Sequence, residues 1–139
     1  MASTETHERS PGSLPAAISN LIVRLFSEYT GRGPNKARTT IREDVVLCVT
    51  QNSMTKGERR LVAEGETDLV VSIRRKFQTT MRDDLVAGIE MLTGRTVLSF
   101  MSDHDADHDY AAEIFVLDGP PHHSTEPGAE DHAPTTRLP

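Results

Sequence analysis

The sequence predicts an α+β domain of order α-β-α-α-β-β, in which a small, three-stranded, mainly antiparallel sheet carries its helices on one face. Three observations predict it. Two long segments, near residues 14–29 and 70–92, repeat apolar residues at three- and four-residue spacings, the period of an amphipathic helix. Segments around residues 45–49 and 97–117 read instead as short strands rich in apolar and β-branched residues. Helices with one apolar stripe and a small sheet bury each other most simply as two packed layers.

Each element has its own signal. Ser13 can cap the first helix, with Pro15 tolerated in its first turn. Leu14, Ile18, Leu21, Leu25 and Tyr29 then form one stripe, and Gly31 stops it. Beyond a loop, Ile41, Val45, Leu47 and Val49 fall on one face of a strand and Val46 and Cys48 on the other, with "QNS" closing it. Thr55 to Glu58, "TKGE", matches a capping box that opens a short helix carrying Leu61 and Val62. Gly65 interrupts, and Asp68 can start a longer helix whose stripe runs Val70, Ile73, Phe77, Met81, Leu85, Ile89, Leu92, ending at Gly94. "TVLSFMS" and "YAAEIFVL" follow as two strands of a hairpin joined by the polar loop "DHDADHD".

Composition bounds the rest. A chain of 139 residues has room for one core, and with four Phe, two Tyr and no Trp that core is mostly aliphatic. The lone Cys48 excludes an intramolecular disulfide framework and reads as an inert buried thiol. No apolar run reaches the roughly 20 residues needed to span a bilayer, which predicts no direct membrane insertion. The N-terminus lacks a secretory apolar region, so a cytoplasmic location is expected, peripheral at the membrane only through a partner. The net charge of −6 is uneven: residues 103–139 hold nine acidic residues and one Arg, and the remainder carries a net +2. That balance argues against broad nucleic-acid binding. Residues 1–12 and 119–139 are rich in Pro, Ser, Thr, His and acidic residues and read as disordered tails around a single domain at 13–118.

Two stretches could carry chemistry. In "GRGPNKAR", Gly31 supplies a helix stop, Gly33 permits a positive φ or a close backbone approach, and Pro34 sets the exit. A helix-to-strand corner accounts for those three. Arg32, Lys36 and Arg38 add a second reading, in which glycine amides and basic side chains, joined by Arg74, hold an anion or a partner. The loop is neither a Walker loop nor a dinucleotide fingerprint, and a helix C-terminus has the wrong dipole sign for an anion. "DHDADHD" alternates aspartates like a calcium loop, but counted from Asp103 it offers His108 where glycine is needed and Ile114 where glutamate is needed. A solvated hairpin tip is the expectation, with no metal site. Arg75, Lys76 and Arg82 on the long helix would face solvent or a partner, and Arg74 lies beside the apolar stripe. Every histidine falls in a tail or loop, so no Ser/His/Asp set assembles and no catalytic residue or cofactor is expected.

Taken together, "YTGRGP", "MTKGERRL", "RRKF" and "IEMLTGRTVLSFMSD" followed by "FVL" resemble the MpsC-like family, a small bacterial domain of otherwise unknown function. The resemblance covers about residues 15–118. It implies association with a sodium-translocating, membrane-potential-generating system whose membrane components are linked to bicarbonate uptake, hence a membrane transport subunit as partner. It implies no established reaction. A homodimer stays open, as does the alternative of a small-anion-binding domain or enzyme built on the Arg32–Arg38 loop.

Overall fold

The structure, a computed structural model, describes residues 12–122. The expected disorder of residues 1–11 and 123–139 lies outside the described residues. Along the described chain the order is α1 (Leu14–Thr30), β1 (Lys36–Arg42), β2 (Val45–Gln51), α2 (Lys56–Ala63), α3 (Thr67–Thr93), β3 (Val97–Asp105) and β4 (Tyr110–Leu117). After β4 the chain stays against the domain: Pro121 is buried and the His122 amide donates to the Thr93 carbonyl at 2.8 Å.

The sheet has four strands, not three, in the order β1-β2-β4-β3, with every neighbouring pair antiparallel. The single strand expected over Ile41 to Val49 is split by a tight turn at Glu43 and Asp44, where Glu43 takes a left-handed φ of 54°. The preceding "KARTTIR" is itself a strand. It escaped a hydrophobic-pattern reading because it is an edge strand in which only Thr39 is buried and Lys36, Arg38, Thr40 and Arg42 are exposed. The turn also reverses the facing of Ile41, which pairs with Val46 and shares its face, not that of Val45 and Leu47.

The helices form as their signals dictate. The Ser13 hydroxyl accepts from the Ala16 amide, Thr55 and Glu58 complete a reciprocal capping box on α2, and Gly31 and Gly94 end α1 and α3 in left-handed conformation. α1 and α3 lie on one face of the sheet, and α2 packs against α3. Their stripes meet the inward residues of the central strands: Ile18, Ile22 and Phe26 from α1, Met81, Leu85 and Ile89 from α3, Val46 and Cys48 from β2, and Phe115 and Leu117 from β4 are all sealed from solvent. Each such large apolar side chain contributes about 1.5–3 kcal/mol by leaving water. Phe100 stacks on Phe115 with ring centroids 4.8 Å apart. The two long helices approach closely at Gly88, where a Cβ would sit 2.6 Å from a Leu21 methyl group.

Candidate functional site

The cations of the loop and strand after α1 do not converge on one site. Gly31 is the left-handed C-cap of α1, with φ 83° and its amide donating to the Ser27 carbonyl. Gly33 does not have a left-handed φ; it is there for closeness, since a Cβ would lie 3.0 Å from the Val23 carbonyl oxygen of α1. Pro34 is buried. Arg32 turns back to donate to the carbonyl and side-chain oxygens of Asn52, both at 2.9 Å. Lys36 and Arg38 stand exposed on the edge strand. Arg74, expected beside the α3 stripe, is 4% exposed inside the domain. The side chains of Arg75 and Lys76, one step along, are exposed, and Arg82 lies over the Phe100 ring at 5.5 Å.

What does gather is a polar centre at the end of β2. Asn52, with a left-handed φ of 61°, receives Arg32 from one side and Arg59 of α2 from the other. The next residue, Ser53, accepts from Arg74 at its hydroxyl (2.6 Å) and carbonyl (3.4 Å). Arg74 also forms a buried ion pair with Glu58 at 3.1 Å, the same carboxylate oxygen that caps α2 by accepting the Thr55 amide at 2.8 Å. Asp109 closes the centre from the β3–β4 turn. Its carbonyl accepts the Asn52 amide, one carboxylate oxygen accepts the Met54 amide at 3.0 Å, and the other shares a 3.0 Å hydrogen bond with His104 Nε2. Burial works to raise the Asp109 pKa, but the Met54 amide, His104 and the Ser53 amide outweigh it and hold the carboxyl below the usual range.

The polar centre continues under the helices along one cross-strand row, Thr39, Cys48, Glu113 and Ser102. Glu113 is fully buried, and burial pushes its carboxyl up to about 8, against smaller opposing pulls from the neighbouring Ser102 hydroxyl and the Arg74 charge. At neutral pH it is therefore mainly an uncharged acid. Neither of its oxygens has a well-formed hydrogen bond among the described residues, and the same holds for Thr50 Oγ1, Ser102 Oγ and His104 Nδ1 on the same face. Chemically, Glu113 holds a proton and Arg74 and Glu58 hold paired charge inside the domain, while Arg59 at the edge of the centre is half-exposed. Among the described residues no group of three or more His, Cys, Asp or Glu side chains could hold a metal ion.

The hairpin tip is only partly solvated. Asp105, Asp107 and His108 are solvated as expected, but His104, Ala106 and Asp109 are buried. β3 runs on to Asp105, so His104 is a strand residue and not a loop histidine; its inward position follows from pairing with Ala111. Sequence reasoning missed Asn52, Ser53, Arg59, His104, Asp109 and Glu113 as one group. One signal was available: Ala111, Glu113, Phe115 and Leu117 alternate on the buried face of β4, so the glutamate had to point inward.

A family model described as "Na+-translocating membrane potential-generating system (MpsC)" matches residues 10–119. No curated protein and no solved structure matches the chain. None of the described helices is long and apolar enough to cross a membrane. Since the match runs through every helix and strand described above, the chain belongs to the MpsC family.

Proposed function

We propose that this chain is an accessory or regulatory component of a sodium/bicarbonate-type membrane transport system, and that it acts by docking on a membrane subunit instead of by a reaction of its own. One pairing of observations carries the reading. The family is named for a membrane process, yet no described helix can cross a membrane, so a contribution to that process runs through another protein. The cations favour the same reading. Arg32 and Arg74 are engaged in the fold, while Arg75 and Lys76 stand exposed on α3 beside Ser72 and Thr79, a surface suited to an acidic segment of a partner. The alternative, an anion site built from Arg32, Lys36, Arg38 and Arg74, would need those four to converge; Arg32 and Arg74 are hydrogen-bonded to the adjacent Asn52 and Ser53, and Lys36 and Arg38 stand apart on the edge strand.

The test is co-purification of the tagged full chain from detergent-solubilised membranes of its native cell. We expect a membrane protein to be retained at low salt, released as salt rises, and reduced about tenfold by Arg75→Gln with Lys76→Gln. Failure to retain any membrane protein would overturn the docking reading. Saturable millimolar or tighter binding of bicarbonate or phosphate in titration calorimetry would favour the anion site.

A further inference from the structure

The sheet has two faces, and only one is covered by the described elements. Alternation along the strands places Val45, Leu47 and Val49 of β2, Ala112, Ile114 and Val116 of β4, and Met101 of β3 on the face away from α1 and α3. This is a continuous apolar block across the two central strands and one edge strand. Met101 is 48% exposed there, while the inward neighbours Cys48 and Phe115 are fully buried.

The rim of this face is charged with opposite signs at its two edges. The register joins Arg38, Val49, Ala112 and Asp103 in one row across the four strands, and Lys36, Gln51, Tyr110 and Asp105 in the next outward-facing row. Each row thus begins with a cation on β1 and ends with a carboxylate on β3. All four charged residues are exposed.

That pattern is complementary to itself. When two sheets stack face to face about a two-fold axis parallel to the strands, β1 of each copy lies over β3 of the other. The ends of every row are exchanged, and the position along the strands is kept. Arg38 then stands over Asp103 of the second copy and Lys36 over its Asp105, twice each by symmetry, around the apolar block. A two-fold axis across the strands would instead set the β1 cations of the two copies against each other. From the sequence and register, we infer that the open face binds a second copy of this chain in the first of these arrangements, as an aligned sheet-on-sheet dimer. This inference does not depend on the docking surface proposed on α3.

The patch is modest. Four strands about 4.8 Å apart and some seven residues long cover roughly 400 Å² per copy, which suits a reversible dimer in the micromolar range. Sedimentation equilibrium of the full chain from about 1 to 200 µM reads this directly. Arg38→Asp sets a carboxylate over Asp103 of the second copy and should weaken the dimer at least about tenfold. Asp103→Arg alone should do the same by opposing two cations. The double exchange, Arg38→Asp with Asp103→Arg, should return the dimer to within about threefold of the wild type, because the pair is merely reversed. Circular dichroism and melting temperature of each variant separate a lost dimer from a lost fold. A wild-type chain that stays monomeric throughout overturns the proposal and gives the face to another occupant. A dimer that ignores both single reversals, or that the double exchange fails to restore, overturns this geometry.

Discussion

The two faces of the sheet both depart from a simple inside-outside rule: polar residues are set into the apolar covered face, and the middle of the open face is apolar. The covered face holds Thr39, Thr50, Glu113 and His104 among its core residues, all buried. The open face holds Val45, Leu47, Val49, Ile114, Val116 and Met101. A chain selected only for a stable monomer would exchange some of these. Polar groups on the covered face cost desolvation and are retained with the Arg74–Glu58 pair and the Asn52–Ser53 corner built around them. Apolar groups on the open face contribute little until something else covers them. The difference teaches that the covered face sets one specific arrangement of strand ends and helices, while the open face keeps apolar groups that none of the described elements covers.

The comparison breaks first on the covered face. Arg74→Met should cost about 3–5 kcal/mol in urea denaturation, because it leaves the Glu58 carboxylate buried without its partner and strips Ser53 of its donor. A loss under 1 kcal/mol would mean that the pair adds nothing beyond packing. Phe115→Ala, on the same face, should cost a similar 3–5 kcal/mol by opening a cavity against Phe100 and the helices.

Glu113 sharpens the comparison through pH. Its folded pKa of about 8 lies above the ordinary 4.5, so the folded chain holds more protons than the unfolded chain between those values. Its contribution to stability is therefore most favourable near pH 4.5 and below, and is lost as pH rises towards 8. Glu113→Gln removes that dependence. The variant should gain on the wild type by a few kcal/mol between pH 5 and pH 8.5, read as the difference between two urea midpoint curves. Parallel curves would show that the carboxyl is not held neutral by burial. Asp109 works with the opposite sign: its lowered pKa supplies stability above the unfolded value that is lost as pH falls.

The open face should barely register in the monomer. Ile114→Thr, one residue from Phe115 and on the other side of the sheet, should change monomer stability by no more than about 1 kcal/mol. It should also weaken self-association. A cost as large as that of Phe115→Ala would mean that the face is already covered within one chain.

Much of this fold was legible in the sequence, and the parts that were not share a cause. The stripes on α1 and α3, the capping box at Thr55 and the stops at Gly31 and Gly94 are local signals, set by residues three or four apart, and all five formed where expected. β1 was not legible because an edge strand with Lys and Arg on its open side has no apolar alternation to read. The polar centre was not legible because Asn52, Glu58, Arg74 and Asp109 meet only after β2 is paired with β4 and α2 is laid on α3. The loop at Gly31 to Arg38 looked like a site because its cations are close in sequence. Strand geometry then sent Arg32 to Asn52 and left Lys36 and Arg38 on the rim of the open face.

Three methionines allow the contrast between the faces to be measured in one experiment. Met81 is 1% exposed in the core, Met91 is 84% exposed on α3, and Met101 is 48% exposed on the open sheet face. Brief oxidation of the full chain, followed by mass spectrometry of each methionine, reports their access to solvent side by side. As the protein is concentrated from about 1 to 200 µM, the account predicts that Met101 becomes protected several-fold, Met91 keeps its rate and Met81 stays unreactive. Oxidation of Met101 and Met91 in constant ratio across that range would contradict it.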